Sequence, residues 1–165
     1  MKRIALMLGL LTGVTFGAVF VGAIVFRGNA IDPGSGLPRS ELMNFEGYEA
    51  EYQAAASELL MPPGASLPPG REPPREPTTY QRGSGLTEAQ GLWLCAWEQE
   101  WLAQRGNDKA RAAAALEQLR AAPALEYMTK YLAQVGKDLF TNALAQADKG
   151  NADGFELDAE LNCND

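Results

Sequence analysis

The stretch GLWLCAWEQEWL, residues 91–102, decides the fold, because it carries all three tryptophans of the chain at a strict four-residue spacing. On an α-helix, Trp93, Trp97 and Trp101 fall within an arc of roughly 80° and form one wide aromatic stripe. Cys95 lies nearly opposite that stripe, so the helix carries apolar side chains on two sides. A helix of this kind is normally packed between other elements. The stretch therefore predicts the central helix of a small helical bundle.

The aromatic stripe has two interpretations, a packed core or an exposed platform for sugar rings. Each tryptophan buries roughly 150–250 Å² when it is packed, and a domain of about 80 residues has so little interior that it needs such large side chains. We therefore expect Trp93, Trp97 and Trp101 to form the core against the helices that follow. A platform for a cell-wall glycan is the functional alternative.

Cys95 and Cys163 are the two cysteines of the chain. An even number of cysteines outside the cytoplasm is typical of disulfide pairing. A bridge between these two closes a long loop, which contributes on the order of 4 kcal/mol of stability. We predict one disulfide that ties the C-terminal tail to the Cys95 side of the tryptophan helix. Two unrelated thiols are the alternative.

Residues 4–26 run without a single charge and are long enough to cross a bilayer, since about 20 apolar residues span its hydrocarbon core. The segment predicts a single transmembrane helix, an anchor that covers residues 1–27. A cleaved signal peptide is the alternative. Its apolar region is usually roughly 7–15 residues long and ends at a small-x-small site, which residues 21–23 offer, and cleavage there would make the protein secreted.

The charge balance predicts the orientation of the anchor. Three of the 14 basic residues, Lys2, Arg3 and Arg27, lie at the anchor, so residues 28–165 carry 11 basic against 21 acidic side chains, a net charge of −10. Such an acidic region gains nothing from an anionic cytoplasmic leaflet, and it lacks the basic groups that neutralise nucleic-acid phosphates. We predict a cell-membrane protein with a cytoplasmic N-terminus, an external C-terminal domain and no nucleic-acid partner.

Two segments separate the anchor from the tryptophan helix. Residues 28–60 predict a juxtamembrane loop and an acidic amphipathic helix capped by Ser40 or Asn44, which either packs on the rest of the protein or faces a partner. Residues 61–85 hold seven of the ten prolines. Because proline fixes φ and has no N–H to donate, this linker predicts an extended spacer of roughly 50 Å.

Residues 86–165 predict a helical domain outside the cytoplasm. A capping box at Thr87 and Gln90 predicts that the tryptophan helix starts at Glu88, and glycine, asparagine and proline residues mark the later boundaries. In chain order, Gly106 ends the first helix, Asn107 caps the second, Pro123 opens the third, Gly150 ends it, and a short fourth covers about 155–162.

The third of these helices carries an apolar face. Its members recur at 3-4-3-4 spacing and are Leu125, Met128, Leu132, Val135 and Leu139. The fold class is therefore all-α: a single N-terminal transmembrane helix, a Pro-rich spacer and a small disulfide-closed bundle of three to four helices.

The sequence carries little chemistry for catalysis. It has no histidine, which excludes Ser-His-Asp triads, Cys-His pairs and histidine metal sites, and a disulfide leaves no thiolate. Glu98 and Glu100, two residues apart on the tryptophan helix, point in different directions, whereas glycoside hydrolysis needs two carboxylates that flank one cleft. We predict no catalytic residue and no cofactor.

One stretch, KGNADGFELDAE at 149–160, partly matches the spacing of a calcium-binding loop. With Gly154 at loop position 6, Asn151, Asp153 and Glu160 occupy ligand positions. Position 1, which should be an aspartate, is a lysine. Because the first ligand is missing, we predict no metal site and expect Asp153 to cap the last helix instead.

The predicted anchor carries small residues at four-residue intervals, with Ala5 followed by Gly9, Gly13 and Gly17. Overlapping G-x-x-x-G motifs let two helix backbones approach closely in lipid, where packing drives association. We predict that this glycine face binds a second copy of the chain or the helix of a membrane-protein partner. The ordinary glycine content of membrane helices is the alternative.

Together these features predict a non-enzymatic, single-pass, membrane-anchored protein whose extracytoplasmic domain is an interaction or accessory module. The alternative is a ligand-binding module at the cell surface, for cell-wall glycan or a cation. The tryptophan rings discriminate between the interaction module and a glycan-binding module, since a glycan platform needs exposed rings.

Replacing Gly13 with isoleucine is expected to abolish association of the anchor, because the larger side chain holds the two backbones apart. Insertion should be unaffected, since isoleucine is at least as apolar as glycine. A membrane two-hybrid assay on Gly13→Ile, with Leu11→Ile on the opposite face as control, measures the effect. Association of both variants at the wild-type level would mean that the glycine face makes no contact.

Overall fold

A computed structural model of the chain describes residues 39–163, most of which form helices. Within this range the α-helices are α1 (Phe45–Glu58), α2 (Ser84–Gln104), α3 (Lys109–Ala121), α4 (Gln134–Ala147) and α5 (Asp153–Asn162). Turns of 3₁₀-helix lie at Arg39–Glu41 and Ala122–Ala124, and a π-helical turn lies at Tyr127–Tyr131. The two-residue strands β1 (Leu42–Met43) and β2 (Tyr80–Gln81) pair antiparallel, with Leu42 opposite Gln81. The predicted class is confirmed as a mostly helical fold.

The membrane anchor predicted at residues 1–27, with its glycine face at Gly9, Gly13 and Gly17, lies outside the described residues. Within residues 39–163, no helix combines the length and the hydropathy needed to cross a bilayer. Helices α1, α3 and α5 pack on α2, while α4 packs on α5 and α3.

The tryptophan stripe of α2 lies in the core. Trp93, Trp97 and Trp101 are 4%, 4% and 2% exposed, and they cluster with small and apolar side chains of α3 and with Phe155 of α5. The indole N–H groups of Trp93 and Trp97 both donate to the carbonyl oxygen of Leu60, at 2.7 Å and 2.9 Å. The stripe therefore joins α2 to the chain that follows α1 as well as to the later helices.

Helix α1 packs on the N-terminal part of α2. Asn44, one of the two predicted caps, accepts a hydrogen bond from the N–H of Gly47. The apolar face of α1 contributes Tyr48 and Tyr52, which are both buried. The hydroxyl of Tyr48 also donates to the carboxylate of Glu88 on α2. The acidic amphipathic helix is thus part of the packed structure.

The predicted start of the tryptophan helix at Glu88 is wrong, because α2 begins at Ser84. Instead of capping the helix, the hydroxyl of Thr87 donates to the carbonyl oxygen of Ser84. The extra turn lies against α1 at Gly85, where a Cβ would come within 2.1 Å of the Tyr48 carbonyl oxygen. A contact between distant parts of the chain therefore sets this boundary.

Two predicted helix caps are displaced along the chain. Asp108 caps α3 in place of Asn107, and its carboxylate accepts hydrogen bonds from two backbone N–H groups of the first turn. Helix α5 begins at Asp153 itself, and the side chain of Asn151 accepts from the N–H of Asp153. In both cases a polar neighbour of the predicted cap makes the bond to a free N–H group at the start of the helix.

The third predicted helix is interrupted. Its expected apolar face breaks at Leu132 and Ala133, whose extended backbone separates the π-helical turn from α4. Gly136 makes room for this break, since a Cβ there would lie 2.7 Å from Cδ1 of Leu132. Leu139, expected in the core, consequently lies at the surface.

The proline-rich segment, predicted as an extended spacer, folds back along α1. We call residues 61–79 the proline strap. The hydroxyl of Tyr52 donates to the carbonyl oxygen of Pro68 at 2.8 Å, and the side-chain amide of Gln53 donates to that of Pro69 at 2.6 Å. Proline lacks a donor but keeps its carbonyl acceptor, and these acceptors hold the strap in place.

Cys95 of α2 and Cys163, at the end of α5, form the predicted disulfide. Their Cα atoms are 5.5 Å apart and the two residues are separated by 68 positions. Near the start of the same helix, the ring of Phe155 packs edge-on against that of Trp101, with 5.6 Å between centroids. Helix α5 is therefore attached to α2 at both of its ends.

Replacing Cys163 with serine is expected to lower the free energy of unfolding by on the order of 4 kcal/mol, since a loop of this length restricts the unfolded chain. Chemical denaturation without reductant compares Cys163→Ser with the wild type. As a control, reductant is expected to bring the wild type to the level of the variant. Equal stability of the two oxidised proteins would contradict this expectation.

Candidate functional site

The tryptophan rings present no platform to a sugar. Trp93 and Trp97 meet edge to face with their centroids 6.5 Å apart, and all three rings lie within the core. A sugar ring needs an exposed aromatic face to stack on. The aromatic stripe is therefore part of the hydrophobic core.

A cleft lies between α2, the π-helical turn, α4 and α5. It consists of two adjoining cavities of about 390 Å³ and 460 Å³, sizes typical of small-molecule sites. Residues that line both cavities are Glu98, Leu139, Phe140, Asp158 and Asn162. The cleft is therefore largely apolar, and the carboxyl groups of Glu98 and Asp158 lie where its two cavities adjoin.

Glu98 is the unusual residue of this cleft. Its side chain is 0% exposed, and as a carboxylate it receives no hydrogen bond at either oxygen. Only the protonated carboxyl finds a partner, by donating to Asp158. One oxygen of Glu98, one of Asp158 and the sulfur of Cys163 lie within 4.8 Å of one another. Glu98 and Asp158 thus form a close pair of acidic groups on facing helices, which we call the carboxyl pair.

The burial of Glu98 was not predicted from the sequence. Glu98 was considered only beside Glu100, as one of two carboxylates that point in different directions. A helix packed on two sides can also cover a polar side chain that lies between its apolar sides. The signal in the sequence for the burial of Glu98 was therefore the presence of two apolar sides on one helix. Asp158 lies on α5, and no local sequence pattern connects it with Glu98.

Burial changes the ionisation of the carboxyl pair. Removal from water is the main cause that raises the pKa of Glu98 to about 9, and Asp158 adds to it through its charge and as an acceptor for the protonated carboxyl. The pKa of Tyr127, on the π-helical turn, is also raised, by its own burial and then by the charges of Asp158 and Glu98. Glu98 is consequently neutral at pH 7.

The carboxyl pair is a poor fit for a metal ion. The nearby sulfur of Cys163 belongs to the disulfide and so is not a thiolate. Two carboxyl groups in an apolar cleft fall short of the six to eight oxygens that calcium takes. The calcium-like spacing of residues 149–160 forms no loop either, because α5 begins at Asp153 and Gly154 lies within its first turn.

Three of the leucines that line the cleft are largely exposed to solvent. Leu139 of α4 is 64% exposed, and Leu157 and Leu161 of α5 are 56% and 70% exposed. All three line the larger cavity. Leu157 and Leu161 are four residues apart and so share one face of α5. We call these three side chains the leucine rim.

The acidic side chains that line the cleft face no basic one among its lining residues, although Glu98 is neutral and Glu88 is paired with Arg71 outside the cleft lining. No lysine or arginine is among the described residues that line the two cavities. The acidic residues among them are Glu88, Glu98, Asp153 and Asp158. A ligand that brings a positive charge is therefore electrostatically complementary to this cleft.

Comparison of the chain with protein-family models, with curated proteins and with solved structures finds no match. Its function is therefore inferred from its own residues. The features available for that inference are the cleft, the leucine rim and the carboxyl pair.

Replacing Glu98 with glutamine is expected to stabilise the protein progressively as the pH rises. The pKa of Glu98 lies above its ordinary value of 4.5 in the folded state, so folding favours the protonated form and wild-type stability is lost as the pH rises towards 9. Relative to Glu98→Gln, the loss is roughly 1.4 kcal/mol for each pH unit between these limits.

Urea unfolding of wild type and Glu98→Gln between pH 4 and pH 9 measures this difference. Glu58→Gln, at an exposed position on α1, is the control and should leave the pH dependence unchanged. A stability difference between wild type and Glu98→Gln that stays constant across the range would refute the assignment.

Proposed function

We propose that this chain is a non-enzymatic, single-pass membrane protein whose helical domain works outside the cytoplasm as an interaction module. The uncharged run at residues 4–26 supports the anchor. The disulfide supports an oxidising compartment, because cytosolic thiols are kept reduced. The excess of acidic side chains in residues 28–165 argues against a nucleic-acid partner.

The leucine rim is the observation that carries the proposal. Burying one leucine side chain contributes about 1.5–3 kcal/mol of stabilising free energy. The isolated domain does not gain this free energy from the three leucines that it leaves exposed on one face. Clustered exposed apolar groups mark interaction sites in soluble domains. A partner that covers Leu139, Leu157 and Leu161 recovers this free energy as binding energy, and the partner accordingly presents an apolar surface of its own.

The carboxyl pair does not make the domain an enzyme in this proposal. Glu98 is closed to solvent and neutral at pH 7, which removes it as a base. The chain has no histidine to activate a nucleophile, and both cysteines are in the disulfide. Binding is the activity that these groups support.

A ligand-binding module is the second candidate, and one observation favours the cation form of it. The cleft is lined by acidic side chains without a basic one. The glycan form has no comparable support, because the tryptophan rings are buried. Both candidates use the same cleft, the first through its leucine rim and the second through its acidic side chains.

A photocrosslinking amino acid at Leu157 or Leu161 of the full-length chain, in native membranes, is expected to trap a discrete partner, because these side chains lie at the contact. The same amino acid at Ala113, an exposed position on α3, is the control and should trap none. Denaturing gels of irradiated membranes report the products. Equal crosslinking from all three positions, or none from any, would overturn the proposal.

A further inference from the structure

We propose that the leucine rim and the groove beside it bind an amphipathic helix of a protein partner, with apolar side chains on one face and lysine or arginine side chains next to them. This assignment rests on the proposed function, which places the partner at the leucine rim, and it specifies the secondary structure and the charge of that partner.

The groove results from the way in which α4 and α5 pack. The two helices come close where Gly154 meets Ala143, since a Cβ on Gly154 would lie 2.6 Å from that of Ala143. Earlier in α4 and later in α5, the larger side chains of Leu139, Leu157 and Leu161 line the cavity of about 460 Å³. The helices therefore leave between them an open groove with apolar walls.

The exposed apolar side chains follow helical spacing on both walls of the groove. Val135, which is 67% exposed, precedes Leu139 on α4 by four residues. Leu157 and Leu161 are also four residues apart on α5, so each pair lies on one face of its helix. A groove of this kind accepts a third helix whose apolar side chains recur at i, i+3, i+4 and i+7.

The charge of this face favours a basic partner. Residues 134–162, which cover α4, α5 and the turn between them, carry six acidic side chains and two lysines, a net charge of −4. Arginines outside this segment pair with two of the six. Asp153 and Asp158 line the groove, and the exposed Asp138 directly precedes Leu139. Lysine or arginine beside the apolar face of the partner is therefore electrostatically complementary to the groove.

The same charge argues against two other occupants of the leucine rim. A second copy of this chain would bring another acidic surface to the contact, since residues 28–165 carry a net charge of −10, and like charges across an interface oppose binding. An anionic membrane surface attracts basic segments rather than acidic ones. A basic amphipathic helix covers the leucines without either penalty.

Three synthetic peptides of about 18 residues, or five helical turns, test this chemistry on the full-length protein in nanodiscs of zwitterionic lipid. The first has leucines at i, i+3, i+4 and i+7 and lysines elsewhere. The second replaces each lysine with glutamate, and the third scrambles the first so that its apolar face is lost. An apolar photocrosslinking amino acid in place of Leu161 traps bound peptide, and mass spectrometry of the protein counts the adduct without peptide dissolved in lipid.

We expect the lysine peptide to reach half-maximal crosslinking at a concentration about tenfold lower than the other two peptides. Its advantage over the glutamate peptide should shrink as salt is added, because salt screens exposed charges. Equal crosslinking of the lysine and glutamate peptides would reject a basic partner, and equal crosslinking of the lysine and scrambled peptides would reject a helix. Adducts with lipid or with a second copy in place of the peptide would overturn the inference.

Variants of exposed leucines test the apolar part of the contact. Leu139→Ser and Leu157→Ser should each raise the half-maximal concentration of the lysine peptide about tenfold, because each removes an apolar side chain from the groove. Leu60→Ser is the matched control, since Leu60 is 66% exposed but lines neither cavity, and it should change nothing. Unchanged crosslinking in both groove variants would reject the site.

A charge variant tests the acidic part. Asp138→Asn combined with Asp153→Asn should reduce the salt dependence of the lysine peptide, whereas Glu58→Gln on α1 should leave it as in the wild type. An unaltered salt dependence in the double variant would contradict the charge assignment.

The result for the proposed function is separate from this one. A native partner trapped in membranes from Leu157 and Leu161, without crosslinking of the lysine peptide, would leave the interaction module standing and reject the partner chemistry. Crosslinking of the lysine peptide without a native partner would do the reverse.

Discussion

The carbonyl oxygen of Leu60 accepts hydrogen bonds from two buried indoles, and the packing of the domain depends on that contact. A buried tryptophan needs an acceptor for its N–H, and the interior of a helix offers none, because its carbonyls are already paired. Leu60 lies just past the end of α1, where the backbone is no longer helical. Satisfying Trp93 and Trp97 therefore brings the end of α1 onto α2.

The proline strap begins directly after this contact at Leu60. From Leu60 the chain runs back along α1, where the carbonyls of Pro68 and Pro69 accept from side chains of that helix. Arg71 then pairs with Glu88 of α2. The bonds to α1 use only acceptors of the strap, which is what its prolines have to offer, whereas Arg71 donates to Glu88. The strap thus covers α1 without forming regular structure of its own.

The other side of α2 is organised by its attachment to α5. A helix as short as α5 is not stable alone in water, and it is held by the ring of Phe155 at one end and the disulfide at the other. Its fixed position closes Glu98 off from solvent. It also presents Leu157 and Leu161 outward. The buried carboxyl and the exposed leucines are therefore two consequences of one attachment, and both proposals for the cleft depend on it.

Local periodicity was sufficient for part of this structure. The four-residue spacing of the tryptophans predicted a helix packed on two sides, and the pairing of Cys95 with Cys163 followed from the cysteine count. The helix could be predicted from the sequence because an α-helix repeats every 3.6 residues and so gives each side chain a direction. The cysteine pairing needed only the presence of two cysteines in the chain.

Tertiary contacts decided the rest. The early start of α2 depends on Gly85 meeting the backbone of Tyr48, the surface position of Leu139 depends on the break after the π-helical turn, and the burial of Glu98 depends on α5. Each of these joins residues far apart in the chain, and periodicity carries no information about which distant segment covers a given face. The sequence by itself determined that α2 would be covered on two sides, and only the folded chain decided which segments cover it and which acidic side chain is enclosed.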